Sequence, residues 1–210
     1  MRALLVNGSP REKRSASAAI LDALGGRLER GGAGVLRGAA GDGEAAMLEA
    51  AQGCAAIVFA FPLYVDGVPS GLLRLMEGIS GGISRAAPGA HVYAVANNGF
   101  YEGRQNAPAL ETMKLFCAAA GLAWGQGLGV GGGPMLRSAP IGRGPAKALG
   151  GALDALALNI LEGGSSDDVF LDPGIPRFLY RRMGEMGFRA RARRNGLGAR
   201  RLYARPYGDP

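Results

Sequence analysis

The chain has 210 residues, 48% of them hydrophobic and 20% charged, which fits one globular domain, or a domain with a tail, and excludes a mostly disordered chain. No stretch approaches the roughly 20 uncharged apolar residues of a membrane helix, the opening apolar run is too short for a signal-peptide core, and two cysteines, Cys54 and Cys117, make neither a disulfide framework nor a metal cluster; a cytoplasmic, reduced protein is the expectation. The net charge of +7 has one location: residues 1–171 carry 14 basic and 14 acidic side chains, whereas residues 172–210 carry 10 arginines against Asp172, Glu185 and Asp209.

Short apolar runs alternate with stretches of helical spacing. Ala3–Val6 reads as a first strand, followed by Ser15–Leu28 with Ile20, Leu21, Leu24 and Leu28 on one helical face. Gly34–Arg37 is a weak second strand, and Met47, Leu48 and Ala51 mark a short helix. Ala55–Phe61 and Val92–Ala96 are apolar at nearly every position, as strands buried on both faces are. Between them Pro69 and Ser70 open a helix carrying Leu72, Leu73, Leu75, Met76 and Ile79. A further helix runs from about Pro108 to Ala120, with Gly121 as its C-cap. Leu122–Val130 is the fifth strand, and Ala146–Leu161 the last helix of the body.

This alternation predicts a doubly wound five-stranded parallel sheet in the order 2-1-3-4-5, with helices on both faces. The polar run Gly163–Asp168 predicts a break between a body, residues 1–163, and a basic, helical extension, residues 164–210. In that extension Phe178, Leu179, Met183, Met186 and Phe188 are assigned to one apolar face, with Arg177, Arg181, Arg182 and Arg189 partly on the other. Such a helix can meet a membrane surface or nucleic acid; packing on the body or on a partner subunit is the preferred expectation.

Ligands of such sheets bind beyond the C-terminal ends of the strands, and three loops there are unusual. The first, Asn7–Ser17, puts hydroxyls, cationic side chains and a helix start in one span, which suits a phosphate; a capped helix beside a solvated loop is the alternative. It matches neither the Rossmann glycine pattern nor the Walker pattern. The second, Phe61–Ser70, offers apolar and aromatic side chains as a wall for a flat ring, or as cover for the sheet edge. The third, Asn97–Asn106, offers amides to a heterocycle edge and Phe100 or Tyr101 to its face, or is a glycine turn with exposed aromatics. Gly131–Pro134 reads as a flap at the edge of this site, the preferred expectation, or as a plain connector. His91, Cys54, Cys117 and Trp124 read as packing or surface residues, and Asp167 and Asp168 as a cap without metal-ligand spacing.

Over roughly residues 1–135 these motifs, GSPR, PLYVDGVPS and NNGFYEGRQN followed by WGQGLGVGGG, resemble the NAD(P)H-dependent FMN reductase and multimeric-flavodoxin group. The resemblance implies a flavodoxin-like fold and an FMN-dependent oxidoreductase, an FMN or quinone reductase, passing hydride from NAD(P)H through FMN to a small acceptor such as a flavin or quinone. It implies that Ser9, Arg11, Ser15, Ala16 and Ser17 hold the FMN phosphate and that Pro62, Leu63, Tyr64 and Val65 line the isoalloxazine. Asn97, Asn98, Gly99, Phe100 and Tyr101 would close the ring pocket. No catalytic side chain is nominated, because the flavin carries the chemistry, and no iron–sulfur cluster is expected from two distant cysteines. A homodimer or higher oligomer is expected from the apolar rim of loops two and three. A flavodoxin-type electron carrier and a flavin-free binding module are the alternatives; carriers resemble acidic docking proteins, against which a neutral body argues.

Overall fold

The computed structural model describes residues 1–11, 15–137 and 139–204. The chain divides into two compact units, Met1–Gly174 and Ile175–Pro210. The first is built on one parallel sheet with strands β1 Arg2–Asn7, β2 Gly34–Ala39, β3 Ala56–Pro62, β4 His91–Asn97, β5 Ala123–Val130 and β6 Val169–Leu171. Their order is β2-β1-β3-β4-β5-β6, and all five pairings are parallel.

The period of two along each strand sorts side chains into two cores. Leu4 and Val6 of β1, Ile57, Phe59 and Phe61 of β3, and Val92 and Ala94 of β4 face one layer. There they meet Met47 of α2 (Glu44–Ala51), Leu72, Leu75 and Ile79 of α3 (Ser70–Ile79), Ile83 of the one-turn α4 (Ile83–Ala86), and Leu110 and Met113 of α5 (Ala107–Ala120). Ala3, Leu5, Val58, Ala60, Tyr93 and Val95 face the opposite layer. Ile20, Leu24 and Leu28 of α1 (Ala16–Arg30) and Leu149, Leu153, Leu156 and Ile160 of α6 (Lys147–Glu162) close that side.

Helix ends follow local chemistry. Ser15 caps α1, its Oγ accepting from the Ala18 N–H at 3.0 Å. Gly121 ends α5 at φ 68°, a left-handed conformation that glycine takes without a Cβ penalty, and the Leu122 N–H closes the turn on the Cys117 carbonyl at 2.9 Å.

The sheet has six strands where the sequence predicts five. The additional strand, β6, pairs with Leu128, Gly129 and Val130 of β5. Asp168 anchors its start: Oδ1 accepts from the Gly127 N–H at 2.9 Å and from Trp124 Nε1 at 3.2 Å, and Oδ2 meets Lys114 Nζ at 2.8 Å. This pairing holds the Lys114 ammonium above its ordinary pKa, with the hydrogen bond to Asp168 as the main cause. The preceding polar run is also tied to the body. Gln126 Nε2 donates to the Asp167 carbonyl at 2.9 Å, and the buried Tyr93 hydroxyl donates to the Gly164 carbonyl at 2.8 Å. Burial pushes the Tyr93 phenol up to about 12.

The second unit consists of α7 (Arg177–Arg194) and a 3-10 turn, Ala199–Tyr203.

Candidate functional site

β1, β3 and β4 end side by side, with Asn7 opposite Ala60 and Pro62 opposite Asn97. The loops that leave them surround one cleft of about 210 Å3. Its lining falls into three groups: Ser9, Arg11, Ser15 and Ala16; Pro62, Leu63 and Tyr64; and Asn97, Asn98 and Gly99, with Gly133 and Pro134 across from them.

The first group forms a polar end. The Ser9 N–H donates to Asn7 Oδ1 at 3.0 Å and the Arg11 N–H to Ser9 Oγ at 3.2 Å, so the loop turns through two successive side-chain-to-backbone bonds. That turn leads to the start of α1. Ser15 Oγ satisfies Ala18, while the Ala16 and Ser17 N–H groups, in the first turn, have no intrahelical acceptor. The Arg11 side chain is exposed at the rim. Glu12, Lys13 and Arg14 lie outside the described residues.

The second group is a wall. The Leu63 N–H donates to the Asn97 carbonyl at 2.7 Å, which extends the β3–β4 pairing into the loop. Tyr64 and Gly67 then exchange both backbone hydrogen bonds at 3.0 Å across a two-residue turn. Its central residues, Val65 and Asp66, have φ of 49° and 57°. A β-branched residue in the left-handed region is strained. The turn carries Val65 wholly into solvent, 102% exposed, and out of the cleft, whereas Tyr64 remains on the lining.

The third group is held by two buried asparagines. Asn97 Nδ2 donates at 2.9 Å to Ser17 Oγ and at 2.9 Å to the Phe61 carbonyl, tying β4 to α1 and to β3. Asn98 Oδ1 accepts from the Phe100 N–H at 2.9 Å, its Nδ2 donates to the Glu102 carbonyl at 3.0 Å, and its carbonyl accepts from the Gly133 N–H at 2.7 Å. Asn97 Nδ2 and the Asn98 side chain are thus engaged within the protein and shape the rim. A Cβ at Gly133 would stand 2.8 Å from Asn97 Oδ1 and 2.9 Å from the Asn98 carbonyl oxygen, so a residue without a side chain is needed for this approach. Among the described residues no group of three His, Cys, Asp or Glu is placed to hold a metal ion.

Ten of the fourteen residues nominated from the sequence line this cleft. Ser17 lies behind it as the acceptor of Asn97. Val65, Phe100 and Tyr101 are outside the lining, and Phe100 is 53% exposed. Asn7 and Asn106 were not nominated. Asn7 sets the first turn, and Asn106 donates to the Gly103 and Val130 carbonyls from a fully buried position at the end of the third loop. Their signal in the sequence is an asparagine at a strand end or a helix start, where its side chain bonds nearby backbone.

No family model matches the chain, and no curated protein matches it in sequence. Solved structures do share its architecture. Flavodoxin 2 from Bacillus cereus superposes with a TM-score of 0.58 at 14% identity, over 77% of this chain and 99% of that one. An NADH:FMN oxidoreductase in its apo form gives 0.56 at 16%, over 75% and 88%. An azoreductase from Bacillus anthracis gives 0.51 at 12%, over 77% and 98%. The fold is therefore flavodoxin-like, extended at one edge by β6 and followed by a basic helical unit.

Proposed function

We propose that the protein is an FMN-dependent oxidoreductase, an FMN or quinone reductase that uses NAD(P)H. One observation carries this reading. A polar end with first-turn helix N–H groups and a guanidinium, an apolar wall, and a rim of asparagine and glycine meet around a single cleft at the ends of β1, β3 and β4. That donor set fits FMN, whose phosphate is anionic and whose ring is flat and apolar with a polar edge. FMN bound there would supply the redox chemistry, accepting hydride from NAD(P)H and yielding electrons to a small acceptor.

The residues divide the work of binding. Ser9, Ser15 and the first-turn N–H groups of α1 would hold the phosphate, with Arg11 adding a charge-assisted contact. Pro62, Leu63 and Tyr64 would pack against the ring and exclude water from one face. Asn97 positions both ends, because it bonds Ser17 at the phosphate side and Phe61 at the ring side. Asn98 and Gly133 fix the far rim.

The neutral charge of residues 1–171 favours an enzyme over a carrier that docks through acidic charge. The test is anaerobic addition of NADH or NADPH to the FMN-loaded protein. Bleaching of the flavin absorbance within catalytic times is expected. FMN binding without bleaching by either nucleotide would assign the protein as a carrier, and failure to bind FMN would remove the flavin reading.

A further inference from the structure

We propose that α7 is a docking helix for an anionic lipid surface. Three observations lead there. The whole net charge of the chain lies in residues 172–210, while residues 1–171 sum to zero, so electrostatic attraction to an anionic partner is concentrated on this unit. α7 is an 18-residue helix with seven arginines and one acidic residue, Glu185, which pairs with Arg181 at 3.5 Å. And its large apolar side chains are exposed: Phe178 73%, Met186 63%, Phe188 64%, Met183 46% and Leu179 38%.

The arrangement selects among anionic partners. Leu179, Met183, Met186 and Ala190 recur at intervals of four, three and four residues and form one stripe along α7. Phe178 and Phe188 stand off that stripe, at about 100° and 180° from Leu179, which corrects the single apolar face expected from the sequence. Arg182, Arg189 and Arg193 border the stripe on one side and Arg194 on the other. Arginines facing phosphates would serve a nucleic acid equally well, but a phosphate backbone gives an apolar stripe nothing to enter. A bilayer interface answers both: the stripe enters the acyl boundary and the flanking guanidiniums meet headgroup phosphates. Among the described residues no helix is long and apolar enough to cross a membrane, so the contact is with the surface.

The test is flotation of the full chain with vesicles of phosphatidylcholine alone and of phosphatidylcholine containing about one-third phosphatidylglycerol, a fraction typical of an anionic surface. Flotation with the anionic vesicles, absence from the neutral ones and release in about 1 M salt are expected. Arg182→Gln/Arg189→Gln/Arg193→Gln should weaken binding on the order of a hundredfold. Met183→Ser/Met186→Ser, which leaves every charge in place, should weaken it about tenfold or more. No flotation overturns the proposal. Binding untouched by the methionine variant overturns the insertion of the stripe, and tighter binding of a short duplex DNA than of anionic vesicles assigns the helix to nucleic acid instead. The wild-type comparison needs no variant, so it stands even where a variant fails to fold.

Discussion

Asn97 joins the two halves of the candidate site, and its removal should be costly for reasons that can be counted. Its Nδ2 makes two hydrogen bonds of 2.9 Å, to Ser17 Oγ and to the Phe61 carbonyl. Asn97 is 4% exposed, Ser17 1% and Phe61 0%. Asn97→Ala therefore leaves the buried Ser17 Oγ without this donor and removes a second donor from the Phe61 carbonyl, which keeps its place in the β3–β4 ladder. Leaving one such group unpaired costs about 1–3 kcal/mol and losing a further hydrogen bond about 0.5–1.5 kcal/mol, so roughly 2–4 kcal/mol is expected. In a body of this size that corresponds to a fall in Tm of roughly 5–15 °C. Asn97→Asp keeps the shape but sets a carboxylate oxygen against the Phe61 carbonyl. Burial and that contact raise the carboxyl pKa above its unfolded value, so the penalty should grow as pH rises through the raised value and shrink in acid. Thermal unfolding followed by circular dichroism at several pH values reads both effects. A Tm within about 2 °C of wild type for Asn97→Ala would mean that neither bond contributes, and the positioning role would fall.

Relief of the strained turn gives a change of opposite sign: Val65→Asn places a residue tolerant of positive φ at φ 49°, and because Val65 buries nothing, a gain of about 1 kcal/mol in chemical denaturation is expected, with a loss refuting the strain. At alkaline pH, the Tyr93 phenol has its folded pKa raised to about 12 from 10.0; its contribution is complete below pH 10 and is lost as pH rises toward 12. The buried Cys117 thiol, raised from 9.0 to about 12, adds a loss that begins nearer pH 9. Tyr93→Phe should flatten the alkaline fall in Tm, and an unchanged profile would exclude Tyr93 as a source. At the phosphate end, Arg11→Ala should weaken FMN binding about 10- to 150-fold, the loss of a charge-assisted contact of roughly 1.5–3 kcal/mol, while riboflavin, which lacks the phosphate, is barely affected; equal weakening of both ligands would make Arg11 a support of the fold.

Much of the sheet was legible because local pattern and tertiary role agree. β3 and β4 are buried on both faces and read as unbroken apolar runs, and α5 is bounded by Pro108 and Gly121, whose backbone preferences act locally. β6 was not legible. It has three residues, and its position is set by bonds from Trp124, Gly127 and Lys114 to Asp168, which are remote in sequence. The site divides in the same way. Ser9, Leu63 and Gly99 reach the cleft because they lie within two residues of strands whose ends are in register. Val65 does not, because the turn centres on Val65 and Asp66 instead of the Asp66–Gly67 pair that local preference favours. Phe100 is steered by its own N–H bond to Asn98, an amide that the motif alone assigns to a ligand.

The most direct test of the central claim is an equilibrium titration of the flavin-free protein with FMN, read by flavin fluorescence, beside a variant that plugs the cleft. Gly99 is suited to this: it lines the cleft and is exposed, and among the described residues a Cβ there meets only Pro134 Cγ, at 3.9 Å. Saturable binding of one FMN per chain, abolished by Gly99→Trp with the Tm unchanged, is the predicted result. No saturable binding, or equal binding by the plugged variant, would contradict the assignment of this cleft to FMN.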